Sequence, residues 1–600
     1  MKRKANESEV KRESPEAPKR GRPRGSGASG SGAQQPAKQA KQTKQAKIKT
    51  EVKTERSSVP TTDVGDPTQY YPPEMTDKRA YEYVDSKRAR PIEQLHDALN
   101  ETRKQREDIG AGRSVVFWFR TDLRVGDNRG LTAAADAATE AGVGVAALFL
   151  VTPDDWAAHG MSPARLDFLF RTLAELRSDL AAAGIPLAVR SADRGKSGKA
   201  VLDFCKDVGS SHVWANAEYE VDELRRDAKL VKTGLAAGVA VDVVADTCVV
   251  EPGSLATKTG KQYSQFTPWY KSWMAFVTAH PGTVQPSPRP KLARPKHLAK
   301  LFEETVPEPP TGPLPLAPLS ADRAAQLAER WPAGEKAAAA HLAVFLRSRV
   351  RAYADDRDAP AADGTATLSP YLAVGALAAR SAVAVARKAG SGAGPTTWIK
   401  EVAWRDFYRH VMAHWPHVCM HKPFKVEYSG LAWQPPTLLG AWQAGKTGFP
   451  LVDAAMRELA ATGYMHNRCR MVVASFLAKD MLVDWRLGER WFMANLIDGD
   501  FSSNNGGWQF CSSTGTDSQP YFRIFNPTLQ SERFDRAGEY IRRWVPELAD
   551  VPAPAIHEPF ARLPADAARA LAAAGYPRPV LAHSECRERA LAAFRDALEG

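Results

Sequence analysis

No apolar stretch among the 600 residues approaches a membrane span. Spanning needs roughly 18 consecutive apolar residues, and the longest run here, 143–151, has the length of a buried strand. Cysteine is scarce, and none of the six (205, 248, 419, 469, 511, 586) forms a C-x-x-C pair. That excludes a cysteine metal site and a disulfide frame, and reduced thiols inside a cell are expected. No hydrophobic stretch follows Met1-Lys2-Arg3-Lys4, so no secretory signal is read there. No G-x-G-x-x-G follows the first predicted strand, which argues against a Rossmann dinucleotide site. Large apolar residues are almost missing from 1–70, so that stretch cannot build a packed core.

What is present is the composition of a globular protein, 44% apolar and 25% charged. Six hundred residues exceed one core, and two or three domains are expected. The net charge of +12 is uneven: residues 1–60 hold 16 Lys and Arg against 6 Asp and Glu, leaving the rest near neutral. An anionic partner of the folded part must therefore meet a local patch. Residues 1–76 read as a disordered basic extension. Within it, Lys19-Arg20-Gly21-Arg22-Pro23-Arg24-Gly25 resembles an AT-hook core for a narrow minor groove, the alternative being a solvated basic tail. Lys2-Arg3-Lys4 and Lys11-Arg12 are candidate nuclear-import clusters.

Residues 77–113 are charged and helix-permissive and predict a connecting helix. Over 114–250 short apolar runs (114–119, 144–151, 186–190, 212–215, 239–244) alternate with helical patterns, the longest starting at Ser162-Pro163. Such alternation predicts an α/β domain with a doubly wound parallel sheet. Residues 251–330, rich in Pro, Lys and Gly, are expected to be an interdomain linker over the surface. From 331 to 600 the pattern is helical, so an all-α domain follows the α/β domain.

Asn504-Asn505-Gly506-Gly507-Trp508 suits the edge of a flat redox-active ring. An amide both donates and accepts hydrogen bonds, glycines let backbone come close, and an indole can stack or give up an electron. Alone, the five residues fit equally a tight turn before a core tryptophan. Glu401, Trp404, Arg405 and Tyr408 fall at i, i+3, i+4 and i+7, one helical face. A core-facing stripe should be aliphatic, and burying this one is costly without a polar ligand. Asn467, Arg470 and Met471 repeat the arrangement, and Asp498 is suited to pair with a buried arginine. Gly364-Thr365-Ala366-Thr367-Leu368-Ser369-Pro370 places hydroxyls before a helix start, whose free N–H groups suit a diphosphate.

Trp398-Ile399-Lys400-Glu401-Val402-Ala403-Trp404-Arg405-Asp406-Phe407-Tyr408-Arg409-His410, Met465-His466-Asn467-Arg468-Cys469-Arg470-Met471 and Ile497-Asp498-Gly499-Asp500 together resemble the photolyase/cryptochrome family. So do the stretch 504–508, the run from Thr514-Gly515-Thr516-Asp517 to Phe525-Asn526-Pro527, and Trp118-Phe119-Arg120-Thr121-Asp122-Leu123-Arg124. The resemblance spans 114–600 and is strongest to class I cyclobutane pyrimidine dimer photolyases of fungal type. It implies FAD in the helical domain, held by Tyr353, Thr365, Ala366, Thr367, Leu368, Ser369, Trp398, Arg405, Arg470, Asp498, Gly499, Asp500 and Asn504. It implies a lyase that repairs the dimer by light-driven electron transfer from reduced FAD to a flipped-out lesion, without net redox change. Asn504 would face the flavin, Glu401 would steady the lesion, and Trp508, Trp485 and Trp433 would relay electrons inward.

Lesion and DNA contacts implied by the same match are Arg357, Glu401, Trp404, Asn467, Arg468, Met471, Phe510, Arg523 and Arg533, with duplex DNA as partner. An antenna is implied at His159, Asp222, Glu223 and Cys419, with methenyltetrahydrofolate favoured over deazaflavin. No metal, no membrane and a monomer are expected, in the nucleus, with a mitochondrial pool left open. Asn467 and Met471 stand where enzymes acting on (6-4) lesions carry histidines, and Asn504 where cryptochromes of animals and plants tend to have Cys or Asp. The chain also stops about 40 residues past His557-Glu558-Pro559. A cryptochrome photoreceptor, including the DASH type, is the alternative. Ala366, Thr367, Tyr464, Phe510, Asp222 and Met420 depart from common bacterial residues and weaken the contacts expected there.

Overall fold

The computed structural model describes residues 75–312 and 317–599; residues 1–74 of the extension read as 1–76, with its AT-hook-like stretch and import clusters, lie outside the described residues, while Thr76 caps the first helix. Among the described residues five parallel strands form one sheet, β1 (Ser114–Phe119), β2 (Gly144–Val151), β3 (Leu187–Ser191), β4 (Ser210–Asn216) and β5 (Ala240–Val244), in the order β3-β2-β1-β4-β5. Val116 of β1 lies opposite Ala146 of β2 and Val213 of β4. Every position of β1 and β2 is buried, because helices cover both faces, and this is why they read as unbroken apolar runs. The long helix Pro163–Ala182 starts as its sequence dictates. Ser162 Oγ accepts from Arg165 N at 3.0 Å, and Pro163 occupies the first turn. The same Ser162 hydroxyl donates to Leu496 O at 2.7 Å, a tie to the helical domain.

Two segments differ from their sequence reading. Residues 77–113 are not one helix but three, Asp77–Val84, Pro91–Glu101 and Arg103–Glu107. Pro91 disfavours α conformation at Arg90, which is extended (φ −76°, ψ 151°), and then opens the next helix itself. Inside the expected linker lies the helix Phe266–Ala279. Its Phe266, Trp269, Trp273 and Val277 form a buried stripe at i, i+3, i+7 and i+11, hidden in the sequence by Pro- and Lys-rich flanks.

The loop after β1 docks into the helical half. Leu123 N donates to Val374 O at 3.1 Å, and Gly375 (φ +75°) comes so close that a Cβ would meet Thr121 O at 2.1 Å. Arg380 is fully buried between Asp127 (2.8 Å) and Asp246 (2.7 Å), and Arg124 also pairs with Asp246. Burial alone would raise the Asp246 carboxyl, but Arg124 and Arg380 hold it down at about 2. Arg380→Met leaves two buried carboxylates short of a partner and is expected to cost about 3–5 kcal/mol in urea denaturation; an unchanged midpoint would show that this clasp contributes nothing.

Candidate functional site

The helix Ala393–His414 runs 22 residues and stops at Trp415, the residue before Pro416. Trp398, Glu401, Trp404, Arg405 and Tyr408, one side of it, line a cavity of about 510 Å³. The helices Asn467–Ser475 and Phe501–Ser512 close round it, the first with Asn467, Arg470 and Met471, the second with Asn504, Gly507, Trp508 and Cys511. The turn Thr365–Ser369 completes the wall, with Thr367 at φ +47° leading into the short helix Ser369–Ala373.

Each charged group in this wall except one is matched by an opposite charge. Arg470 pairs with Asp498 at 2.8 and 3.0 Å. Asp500 pairs with Arg409 and caps the helix Phe501–Ser512, accepting from Ser503 N at 2.9 Å and from Ser502 Oγ at 2.6 Å. Burial works to raise its carboxyl, yet Arg409 and Arg405 hold it far below the usual range. Glu401 pairs with Arg357; burial lifts its carboxyl above the usual range while Arg357 opposes the rise. Arg468 pairs with Asp358 at 2.9 Å. Arg405 is the exception. Its guanidinium donates only to the carbonyls of Thr247 (2.6 Å) and Leu372 (3.2 Å), and its buried Nε has no partner. Burial, with Arg409 beside it, pushes Arg405 down to about 10. Such a cation is completed by an anionic ligand.

Asn504 Nδ2 donates to Glu489 O at 2.9 Å, which leaves its carbonyl oxygen for a ligand N–H. The two glycines after Asn505 do different work. A Cβ at Gly506 would sit 2.1 Å from the Tyr408 ring, whereas one at Gly507 would meet nothing and would enter the cavity. Trp404 stacks on Phe266, ring centroids 3.5 Å apart and planes 6° off parallel.

Comparison with known proteins decides what this arrangement belongs to. The family described as the FAD binding domain of DNA photolyase matches residues 398–596, and DNA photolyase matches 115–291. A deoxyribodipyrimidine photo-lyase of Neurospora crassa is 47% identical, over 88% of this chain and 89% of its own length. The chain belongs to the DNA photolyase family. The corresponding protein of Salmonella typhimurium is 42% identical over 81% of this chain and 99% of its own. A bacterial class III photolyase from Agrobacterium tumefaciens superposes with a TM-score of 0.72 at 33% identity, over 81% of this chain and 98% of its own.

The helical half is thus an FAD-binding domain of the photolyase type, and its cavity fits that cofactor: a lone arginine for the diphosphate, an amide oxygen for a ring N–H, and a glycine face open to a flat ligand. Tyr353, Thr365 to Ser369, Trp398, Arg405, Arg470, Asp498, Asp500 and Asn504 all line the cavity, as do Arg357, Glu401, Trp404, Asn467, Arg468, Met471, Phe510 and Trp508. Gly499 does not: it is buried outside the cavity lining, where a Cβ would lie 3.6 Å from Met493. Arg523 and Arg533 also lie outside the cavity, on exposed surface. Trp485 shares the apolar cluster of Trp508, and Trp433 packs against that cluster; the rings touching Trp508 are Phe492 (5.0 Å) and Trp442 (6.1 Å).

His159, Asp222, Glu223 and Cys419 assemble away from this cavity. His159 lies 3.6 Å from Asp222 and 3.8 Å from Glu223, which together raise its pKa against burial, and burial in turn lifts Glu223. Cys419 is buried in one cluster with Val221, the residue before Asp222. Sequence reasoning passed over Phe266, Arg409 and Glu489, and noted Tyr464, which lines the cavity, only as a departure. Glu489, pushed up to about 7 by burial although Asn505 bonds it at 2.8 Å, carries no sequence signal of its own. Arg409 does carry one, lying one turn beyond Arg405.

Gly506→Ala is expected to destabilise the protein by about 1–3 kcal/mol through the clash with Tyr408. Gly507→Ala is expected to leave the apoprotein's melting temperature unlowered while reducing the flavin absorbance retained per protein. Full flavin retention in Gly507→Ala would place the ring elsewhere.

Proposed function

We propose that the chain is a light-driven lyase that repairs cyclobutane pyrimidine dimers in duplex DNA, with FAD in the 510 Å³ cavity. The observation that carries this reading is that one cavity joins a flavin-type wall, Asn504 with Arg405 and Arg470, to a base-reading wall, Trp404 with Glu401 and Asn467. FAD in its reduced form, held there by Arg405, Arg470 and Asn504, would supply light-driven electron transfer to the lesion with no net redox change. The chain's residues do the rest. Trp404, steadied by Phe266, offers a rigid face to an extruded base, a stack worth about 1–3 kcal/mol. Glu401, held by Arg357 and with its carboxyl raised by burial, stands where it can bond a pyrimidine edge, and in its protonated form it offsets charge that arrives there. Asn467 bonds a pyrimidine edge at the exposed rim, and Met471 packs beside it. Neither supplies the acid–base pair that a (6-4) lesion would require. Arg468, Arg523 and Arg533 hold phosphates, and Trp508 with Trp485 and Trp433 relays electrons inward.

In this reading methenyltetrahydrofolate sits at His159, Asp222, Glu223 and Cys419 as antenna, and the protein works as a monomer in the nucleus. A blue-light assay on both lesion types tests the function: dimers are expected to revert and (6-4) lesions to persist, while flavin without any repair would favour the photoreceptor alternative. Trp404→Ala should weaken binding to dimer-containing DNA by about five- to 150-fold and leave undamaged DNA nearly unaffected; equal losses on both would remove its stacking role. Repair yield should fall as pH rises through the raised pKa of Glu401, because its protonated fraction is lost, and Glu401→Gln should flatten that profile. A profile with the same slope in both proteins would rule out Glu401 as the titrating group.

A further inference from the structure

The helices ahead of β1 straddle two bodies. Pro91–Glu101 buries Ile92, Leu95 and Ala98 against Leu224, Ala228 and Val231 of the helix Val221–Ala236. Asp77–Val84 lies instead on the segments Pro416–Met420 and Val426–Gly430 of the helical domain. There Met75 packs on the cluster of Val221, Cys419 and Met420, and Asp77 pairs with Lys422 at 2.7 Å. Between the two feet Arg90 donates to His414 O at 2.7 Å. At the far end Arg106 pairs with Asp242 on β5.

The two surfaces gripped in this way belong to the two elements that carry Asp222, Glu223 and Cys419. Asp222 and Glu223 stand in the first turn of the helix Val221–Ala236, and Cys419 on the segment Pro416–Met420. A strap with one foot on each element constrains how the two sit against each other, and a flat ligand held by residues of both would be sensitive to that at the scale of van der Waals contact. The strap is not needed to make the two-domain body. The Salmonella protein is matched over 99% of its length by 81% of this chain, the share that residues 114–600 make up. The Neurospora match reaches 88% of this chain, enough to take in the strap.

We propose that residues 75–107 are a clamp that sets the spacing of the antenna site and hence its affinity for a reduced folate. The proposal rests on the antenna reading given above. It is tested in the full chain with Leu95→Asp, which unseats one foot, and Met75→Asp, which places a charge in the cluster under the other. Methenyltetrahydrofolate is titrated into each protein by its own absorbance, and flavin content and repair under light absorbed by flavin alone are measured in parallel. Expected is a loss of folate affinity of about tenfold or more in both variants, with flavin content and flavin-driven repair unchanged. Unaltered folate affinity in both variants overturns the clamp and leaves the antenna reading standing. Parallel loss of folate and flavin in both also overturns it, since the strap would then be a general stabiliser. If the unmutated chain takes up no folate at all, the antenna reading falls and the clamp falls with it.

Discussion

A guanidinium enclosed among helices with only carbonyl oxygens to bond is half of an interaction. Arg405 is that group, and much of the helical domain is arranged to hold it where it is. The carboxylate near Arg405, Asp500, is already paired with Arg409, so an anion in the cavity completes the charge balance and stabilises the wall. Arg470 and Arg409 have carboxylates of their own, Asp498 and Asp500, and Arg405 is left as the lone positive charge facing the space. In the proposed reading a diphosphate answers that charge, and the turn Thr365–Ser369 lines the same cavity.

The rotation of the helix Ala393–His414 about its own axis decides whether Arg405 faces the cavity, and polar ties on its far side fix that rotation. Asp406, next in sequence, points the other way, accepting from Val249 N (2.8 Å), Val250 N (3.2 Å) and Trp273 Nε1 (3.2 Å). One turn on, His410 bonds Trp269 and Val250 O, and burial keeps it neutral with a pKa near 4. A helix gripped only by aliphatic packing can slip by a fraction of a turn; one held by a buried carboxylate and a buried imidazole cannot without losing several hydrogen bonds. The helix Phe266–Ala279 therefore helps position the cavity-lining face from behind, through Trp269 and Trp273, and backs Trp404 with Phe266 from beside it.

That helix also shows where sequence reading reached its limit. The strands of the sheet were legible almost to the residue, because a sheet covered on both faces makes continuous apolar runs that nothing else in the chain imitates. The cavity face was legible too, since Glu401, Trp404, Arg405 and Tyr408 at helical spacing are a stripe no ordinary core would choose. Phe266–Ala279 was hidden because composition averaged over 251–330 drowned a four-residue stripe. The strap was misread as one helix because Pro91 acts on the residue before it, a local rule that charge composition does not express. Glu489 and Phe266 matter only through partners distant in sequence, Asn505 and Trp404, and no spacing rule reaches that far. The partition of work within 504–508 was likewise invisible: both asparagines look alike, yet Asn504 faces the cavity while Asn505 is buried in a chain of amides with Glu489 and Gln509.

That chain of amides bears on how an electron is handled at the cavity. Asn504 is fixed by the backbone of Glu489, and Asn505 by its side chain, so both ends of the amide pair are anchored to the same residue. Gln509 accepts from Phe424 N at 2.7 Å and donates back to Asn505 at 2.9 Å. Asn505 is bonded at both its polar atoms and cannot rotate, while Asn504 is fixed through its Nδ2 and keeps its oxygen toward the cavity, so little reorganisation is needed around the pair. Glycine at 506 lets Tyr408 close over the same helix, which excludes water from that side. Rigidity of the dipoles and dryness of the wall come from the same few residues, and either would be lost if a larger side chain stood at 506.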